Sequence, residues 1–528
     1  MKTPLQMTIW GLAVFLVTQS AVAGPSEDAA LAYTQRNYTA ALQLWRPLAE
    51  QGNAAAQYDL GVLYDNGQGV PRDGATAERW FRLAANQGLA AAQFRLGALY
   101  QNGQGVPEAP AEALRWYRLA ADQGLALAQH ALGLAYDGAR GVRRDPAEAA
   151  KWYRLAADQG LAHAQVNLGI MYELGRGVLL DYAEAARWFQ RAAGQGHATA
   201  QGHLGMLYDT GRGVTQDFSK ALKWYQLAAG QGDLSAQNNL GALYENGKGA
   251  RQDYDAAAKW YRLSAGQGHA PAQANLGSLY EAGHGVAQDA AEAARWFRLA
   301  AAQAYAPAQH SLGKMSAAGH GLSQSHDEAA WWYRLAAVQG YAPAQHDLGM
   351  SYENAQGVPQ DHGKAAKWYR LAAEQGHAEA QFRLAVCYDN GQGVPQDYSE
   401  ALKWYRLAVA QANAAAQDSL GSMYEFGLGV PQDYVEAVEW YRLGADQGYA
   451  RAQYNLGLMY ANGRGVPPDF VVAYQWLDLA IAALPPLTTE AMEDAIAIRD
   501  QIEARLKPEE LAEAQRLKRE WLAARPKA

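Results

Sequence analysis

Residues 53–88 read NAAAQYDLGVLYDNGQGVPRDGATAERWFRLAANQG, and this pattern returns every 36 residues along the chain. Twelve consecutive copies occupy residues 53–484, with no insertion or deletion between them. A fixed period of this length is typical of solenoid proteins, in which each unit buries its apolar face only against its neighbours. The period therefore predicts one continuous repeat array, although a chain of 528 residues would ordinarily form several domains.

Each copy has the pattern of two short helices joined by a glycine-rich turn. In the first copy, Leu60 and Leu63 share one helix face, and Gly67 ends that helix. Asp73 stands where a carboxylate would cap the start of a second helix, whose apolar face carries a tryptophan that we expect in the core. The pattern therefore predicts an all-α fold of helix hairpins. The tryptophan recurs in register at Trp80, Trp116, Trp152, Trp188, Trp224, Trp260, Trp296, Trp332, Trp368, Trp404, Trp440 and Trp476.

The two flanks of the array differ from the repeats. Residues 24–52 keep part of the pattern and predict a degenerate N-terminal starter hairpin. Residues 485–528 are richer in charge, as the terminal cap of a solenoid should be. They predict a C-terminal helical cap with helices at about residues 489–506 and 508–524.

The first 23 residues have the pattern of a secretory signal peptide. Lys2 supplies a positive charge, residues 8–17 are apolar, and residues 21–23 form a small-residue cleavage site. We therefore expect cleavage after Ala23 and a periplasmic or secreted protein, with no stable membrane span after cleavage. A retained N-terminal anchor is the alternative.

Composition and motifs argue against several classes of function. The net charge of −8 disfavours nucleic acid as a partner, because nucleic acid binds basic surfaces. Ser311 and Lys314 match the Ser-x-x-Lys pattern of penicillin-interacting enzymes, but no companion motif accompanies them. Histidines that stack by the period, such as His310 and His346, lie on separate helices too far apart to converge on a metal. We expect no enzymatic activity, no cofactor and no metal, and we attribute the recurring aspartate to helix capping rather than to calcium.

Each copy also carries a longer motif, Ala-Gln-x-x-Leu-Gly-x-x-Tyr-x-x-Gly-x-Gly-Val-x-x-Asp, followed by Ala-x-x-Trp-Tyr-Arg-Leu-Ala-Ala-x-Gln-Gly. Examples occupy residues 164–196 and 380–412. The motif resembles the Sel-like repeat, a relative of the tetratricopeptide repeat, over about 430 of the 528 residues. The resemblance implies an α/α solenoid, a right-handed superhelix whose first helices line the concave side. It also implies an adaptor or scaffold, in signalling regulation, envelope assembly, host interaction or protein quality control.

The position after Ala-Gln varies between copies and is the candidate binding position. If first helices line the concave side, its aromatic and histidine side chains form a groove with the kind of anchors that binding hot spots favour. Partial burial of these side chains against the neighbouring hairpin is the competing interpretation. The candidate partner-binding residues are Tyr58, Phe94, His130, His310, His346, Phe382 and Tyr454.

Several copies depart from the motif, mostly between residues 304 and 412. These changes indicate either drift at tolerant positions or a locally altered curvature that shapes a binding site. The departures are Ala304, Ser316, Ser325, Ala355, Ala385 and Ala412.

The turn between the two helices carries a basic ladder, and the chain carries one thiol. The ladder is Arg140, Arg176, Arg212 and Lys248, at one position in four consecutive copies. It indicates either a basic stripe for an anionic partner or a solvated turn face. The lone Cys387 lies beside core positions and is predicted to be a small buried hydrophobe.

Together these patterns predict an exported, non-enzymatic scaffold or adaptor that binds a protein or peptide partner along the concave surface, in envelope signalling or assembly. Two alternatives stay open. One is a secreted protein that binds a host factor of the immunoglobulin type. The other is an accessory to an envelope or cell-wall enzyme.

Overall fold

The computed structural model describes residues 25–483 and 489–524. These residues form 28 helices and no strand. The prediction of an all-α solenoid is thereby confirmed. The predicted signal peptide with its cleavage site at Ala23, and the end of the array at residues 484–486, lie outside the described residues.

The chain divides into two compact units, residues 1–252 and 253–528, each described by itself. From α3 to α26, first and second helices of the repeats alternate along the chain. In the N-terminal unit the helices are α1 (Pro25–Thr34), α2 (Tyr38–Glu50), α3 (Ala54–Asn66), α4 (Gly74–Asn86), α5 (Ala90–Asn102), α6 (Pro110–Asp122), α7 (Ala126–Gly138), α8 (Pro146–Asp158), α9 (Ala162–Leu174), α10 (Tyr182–Gly194), α11 (Ala198–Thr210), α12 (Phe218–Gly230) and α13 (Leu234–Asn246). In the C-terminal unit they are α14 (Tyr254–Ala265), α15 (Ala270–Ala282), α16 (Ala290–Ala301), α17 (Ala306–Ala318), α18 (His326–Ala337), α19 (Ala342–Glu353), α20 (His362–Glu374), α21 (Ala378–Asn390), α22 (Tyr398–Val409), α23 (Ala414–Phe426), α24 (Tyr434–Asp446), α25 (Ala450–Asn462), α26 (Phe470–Ala483), α27 (Thr489–Glu503) and α28 (Pro508–Ala523).

The first helix of a repeat ends at a residue in the left-handed conformation, which glycine adopts without strain. At the end of α21 this residue is Gly391, with φ of 69° and its N–H bonded to the carbonyl of Cys387. Alanine takes the same conformation at Ala139 and Ala355, with φ of 54° and 56°. Ala304 and Ala412 do so between repeats, with φ of 61° and 59°. These departures from the motif therefore keep the backbone path and replace glycine at a local cost.

The second helix begins at a side-chain cap, as predicted. Asp145 Oδ1 accepts hydrogen bonds from the N–H groups of Ala147 and Glu148, each at 3.0 Å. Ser325 replaces the aspartate in one repeat, and its hydroxyl accepts from the N–H of Glu328 at 3.2 Å. The recurring carboxylate thus serves backbone donors at the helix start, which is the role of an N-cap.

The second glycine of each turn permits one repeat to contact the repeat before it. Gly393 has φ of 75°, and a Cβ at this position would overlap the carbonyl of His362 at the start of α20. The turn therefore passes directly over the first residues of the preceding second helix. A side chain here would push the two repeats apart.

The core centres on the aromatic residue that follows the tryptophan, which corrects the expectation that the tryptophan itself fills the core. Most of the tryptophans, including Trp224, are half-buried, whereas the next residue is buried. This ring packs against the glycine of the Leu-Gly pair, since a Cβ on Gly61 would come within 2.6 Å of the Phe81 ring. Adjacent helix positions differ by about 100°, so the tryptophan turns toward the boundary between repeats. The buried rings are Phe81, Tyr117, Tyr153, Phe189, Tyr225, Tyr261, Phe297, Tyr333, Tyr369, Tyr405 and Tyr441.

Glutamine side chains join each repeat to the previous one. The Gln381 side-chain amide donates to the carbonyl of Ala373 in the preceding repeat at 3.2 Å. Its Oε1 accepts from the side chain of Gln411 at 2.8 Å. At Gln381 the Ala-Gln pair is therefore a buried junction, with the donor and the acceptor of one amide both satisfied.

The last repeat is adapted to a different neighbour. In earlier repeats an arginine donates to the tyrosine hydroxyl of the next repeat, as Arg442 does to Tyr460 at 2.8 Å. The corresponding residue of α26 is Asp478, which accepts from Lys518 of α28 at 2.7 Å. Helices α27 and α28 both pack on α26. Across the described residues, no helix has the length and apolar composition needed to cross a bilayer.

Candidate partner-binding face

One face of each first helix carries the side chains that the repeat motif leaves free. In α21 this face is formed by Glu379, Arg383, Val386 and Asn390, which are half-buried or exposed. Their spacing of four, three and four residues places them on one stripe of an α-helix. We call this stripe, in any repeat, the first-helix face.

The first-helix face is cross-linked by polar contacts within and between repeats. Arg383 forms an ion pair with Glu379 at 3.2 Å. Glu379 also accepts a hydrogen bond from Asn413 of the next repeat at 3.1 Å. Such contacts hold donors and acceptors in place, which lowers the entropy that would be lost on binding a partner.

The candidate residues after Ala-Gln lie beside the first-helix face, at the boundary with the next repeat. Each of six packs, with its ring tilted, against the buried aromatic ring of its own hairpin; the centroid distance is 5.7 Å for Tyr58 and Phe81 and 6.1 Å for Phe382 and Tyr405. Corresponding ring pairs form at Phe94, His130, His310 and His346. Tyr58, Phe94, His130, His310, Phe382 and Tyr454 are half-buried.

His346 is the exception among the candidates, because only 7 % of it is exposed. Its Nδ1 lies 2.8 Å from Asp347 Oδ1, and its ring stacks on His377 with centroids 5.0 Å apart. These two contacts turn the side chain into the boundary between repeats. His346 is therefore a packing residue rather than an exposed anchor.

Asp347 joins two of the predicted histidines. His310 Nε2 lies 2.7 Å from Asp347 Oδ2, and His346 contacts the other carboxylate oxygen. Although burial of the carboxylate acts in the opposite direction, the hydrogen bonds from both histidines hold the pKa of Asp347 well below its usual range. Asp347 is therefore a fixed negative charge on the first-helix face.

Asp418 holds the same position as the candidate residues and is only 1 % exposed. Asn455 donates to it at 2.8 Å, and Arg451 lies 3.2 Å from its other oxygen. Burial raises the pKa of Asp418 to about 6, although Arg451 and Asn455 act against this rise. The charge of this carboxylate therefore changes in mildly acidic solution.

The N-terminal unit carries similar contacts made by His130 and His203. The amide nitrogen of Asn167 donates to His130 Nε2 at 3.0 Å. His203 stacks on Phe189 and lies 2.8 Å from a carboxylate oxygen of Glu173. The contact between His130 and Asn167 corresponds to that between His310 and Asp347. In both, the residue after Ala-Gln in one repeat contacts the second residue after Ala-Gln in the next repeat.

Sequence reasoning missed the position directly after the candidates. It carries Asn167, His203, Asp347, Arg383 and Asn455, which lie on the first-helix face. A signal was present, because this position is polar in every repeat except the third, where it is Ala131. Polar residues at a variable helix position indicate a solvent-facing stripe.

The residues of the basic ladder contact the preceding repeat. Arg176 forms an ion pair with Asp137 of the preceding repeat at 3.4 Å. Arg212 and Lys248 lie over the rings of Tyr182 and Phe218. The ladder thus contributes contacts between repeats, in addition to a charged turn surface.

Cys387 is buried, as predicted, and burial raises the pKa of its thiol to about 12. The thiol is therefore protonated at neutral pH and behaves as a small apolar side chain.

Among the described residues, no group of three or more His, Cys, Asp or Glu side chains is arranged to hold a metal ion.

The family model of the Sel1 repeat matches thirteen consecutive segments, from residue 31 to residue 483. This chain belongs to the Sel1 repeat family. A crystal structure of the Sel1-like repeat protein c5321, a protective antigen present in uropathogenic Escherichia coli strains, is 36% identical to this chain. The match has a TM-score of 0.65 and covers 84% of this chain and 94% of that one.

A Sel1 repeat protein from Oxalobacter formigenes is 34% identical, with a TM-score of 0.47, over 59% of this chain and 90% of that one. The immunity protein Pa5087 from Pseudomonas aeruginosa is 22% identical, with a TM-score of 0.31, over 40% of this chain and 81% of that one. A comparison with curated proteins finds no match. The family assignment therefore rests on the repeat model and is supported by the 36% identical structure.

Proposed function

We propose that this Sel1 repeat protein is an exported, non-enzymatic scaffold that holds an extended peptide or a protein partner along the first-helix face. The observation that carries the proposal is the row of variable polar side chains on this face, fixed by contacts such as Arg383 with Glu379 and Asp347 with His310. Proteins of this fold bind partners through such prearranged surfaces.

Site-specific photo-crosslinking tests where the partner lies. A benzophenone amino acid placed at Val386 or Asn390, on the first-helix face, should give covalent adducts in intact cells. The same group at Lys403, exposed on the second helix of the same hairpin, should give none. Adducts that form from Lys403 and not from Val386 would place the partner on the opposite face and contradict the proposal.

A charge reversal provides the matched variant for this experiment. Exchanging the two residues, as Glu379→Arg with Arg383→Glu, keeps an ion pair at i and i+4 while it inverts the local field. Helicity should stay unchanged and thermal stability should fall only slightly, because the hydrogen bond from Asn413 to Glu379 is lost, whereas the adduct yield at Val386 should fall by about tenfold or more. An unchanged yield would show that this part of the face does not contact the partner.

The proposed export is tested separately. Residues 1–23 carry the signal-peptide pattern, so the mature protein should begin at residue 24 and occur in periplasmic extract or culture supernatant. Amino-terminal sequencing of the purified protein checks the cleavage site. Full-length protein confined to the cytosol would contradict export without bearing on the first-helix face.

A second candidate function is the capture of a host factor by the secreted protein. It is favoured by the similarity to c5321, which is described as a protective antigen of uropathogenic strains. Recovery of the protein from supernatant, with binding of purified immunoglobulin that is lost in the charge-reversed variant, would support this candidate over an envelope scaffold.

A further inference from the structure

The helix α18 is apolar on both of its faces. Ala329, Tyr333 and Ala336 pack into the core. On the opposite side, Trp331 is 53% exposed and Val338 is 66% exposed. We define the α18 outer patch as Trp331, half-buried Leu335 and Val338, which share one helix stripe because they are four and three residues apart.

The patch is peculiar to this repeat. The position of Trp331 carries arginine or lysine in nine of the twelve repeats, and the position of Val338 is elsewhere small or polar. A single exposed leucine recurs at the position of Leu335, as at Leu299 and Leu371. Lone exposed apolar side chains are ordinary on protein surfaces. Only in α18, among the described repeats, does the leucine have large apolar neighbours on both sides along the helix.

The charges around the patch are mostly basic. Arg295 and Lys367 hold the position of Trp331 in the repeats before and after, while Arg298 and Arg370 hold the position of Arg334. Four carboxylates lie among these cations, namely Asp327 and Glu328 of α18 with Glu292 and Glu374, and Arg295 is paired with Glu292 at 3.0 Å. Together with Arg334 itself, the five cations leave a small excess of positive charge around the patch. This local balance is opposite to the net charge of −8 for the whole chain.

We propose that the α18 outer patch is a second docking surface, separate from the first-helix face, and that its partner is an acidic amphipathic protein helix. The apolar ridge extends along about 10 Å of helix, which suits ridge-into-groove packing against another helix. Trp331 is the central anchor, and carboxylates on both sides of the partner's apolar stripe meet the surrounding arginines and lysines. A symmetric contact between the patches of two copies of this chain does not fit, because each copy would present the same basic surroundings.

The test uses the full chain and a synthetic helical peptide with a leucine stripe flanked by glutamates. Binding is measured by fluorescence anisotropy of the labelled peptide. The double variant Trp331→Lys with Val338→Glu introduces the residues that the next repeat has at these positions, Lys367 and Glu374. It should keep the fold and weaken peptide binding by about tenfold or more. Leu407→Lys, which removes a lone exposed leucine on α22, should change the affinity less than about twofold.

Two further probes decide the chemistry of the partner. A peptide with lysines in place of the glutamates should bind at least about tenfold more weakly than the acidic peptide. Any binding to phosphatidylglycerol vesicles should be the same for the unmodified protein and for the double variant at Trp331 and Val338. Equal binding by the double variant, a preference for the basic peptide, or vesicle binding that the double variant loses would each overturn the proposal.

Discussion

At the scale of single residues, glycine is required for two different reasons. At Gly376, between two repeats, φ is 88° and a Cβ would meet no atom within 4 Å. At Gly393, φ is 75° and a Cβ would overlap the backbone of the preceding repeat. Strain is common to both positions, whereas the steric conflict is specific to the second.

This difference gives the first prediction. Gly376→Ala should lower the free energy of unfolding by about 1 kcal/mol, the usual cost of alanine in the left-handed region. Gly393→Ala should lower it by about 3 kcal/mol or more, because the clash adds to that strain. Parallel thermal and urea denaturation of the two variants checks the order. Equal losses would contradict the close approach at Gly393.

The second prediction concerns the buried carboxylate of Asp418. Its folded-state pKa of about 6 lies above the ordinary value of 3.8, so the folded chain binds the extra proton between these values. Stability from this group is therefore present below about pH 4 and is lost as the pH rises through 6. Asp418→Asn should raise the free energy of unfolding by about 3 kcal/mol at pH 8 and leave it nearly unchanged at pH 3.5.

Thermal melts at pH 3.5, 6 and 8 measure this effect. Glu439→Gln, which changes an exposed residue of α24, serves as the control and should show no such pH dependence. A destabilised Asp418→Asn variant at pH 8 would mean that the contacts with Arg451 and Asn455 outweigh burial.

At the scale of the hairpin element, the two neighbouring aromatic residues of the second helix are unequal. Tyr225 is buried against Gly205, whereas Trp224 is half-buried at the boundary between repeats. Tyr225→Ala should therefore cost about 3–5 kcal/mol, and Trp224→Ala should cost less. Hydrogen exchange of α11 and α12 in both variants tests the ranking. A larger loss of protection in Trp224→Ala would restore the tryptophan to the centre of the core.

Helix boundaries, turns and caps could be predicted from the sequence because their signals are local. Gly391 and Asp145 mark the end and the start of helices by backbone conformation and hydrogen bonding within a few residues. The choice between Trp224 and Tyr225 could not be predicted, since both are aromatic and only about 100° apart on the helix. The packing of Gly205 against the ring decides it, and that contact joins two helices.

The candidate residues lie one position away from the polar stripe of the first-helix face, and local sequence did not distinguish the two positions. Tyr58 and Phe382 vary between repeats, as a binding position should, but their rings stack on the buried aromatic residue. The neighbouring position, with Asp347 and Arg383, is also half-buried, but its side chains make ion pairs on the first-helix face. The periodicity within one helix indicates which residues share a face of that helix. Which of these residues are covered depends on how the next repeat packs against the helix.

At the scale of the whole molecule, each repeat packs mainly against the adjacent repeats, so a single repeat should be removable without unfolding the others. Deletion of residues 126–161, one full period within the N-terminal unit, joins positions of identical register. The shortened protein should keep its helical circular dichroism and cooperative melting. Deletion of residues 126–143, half a period, should abolish cooperative melting because it joins helices out of register. Equal behaviour of the two deletions would contradict nearest-neighbour stacking.

The glutamine junction has a consequence for inheritance. Gln381 and Gln411 make the same bonds that Gln93 and Gln123 make elsewhere, so repeats that carry both glutamines have compatible ends and starts. Unequal crossing-over within the gene can therefore add or remove whole copies while the glutamine contacts between consecutive repeats are kept. Copy number becomes a trait that varies by recombination, while point mutation diversifies the outward-facing side chains of each copy.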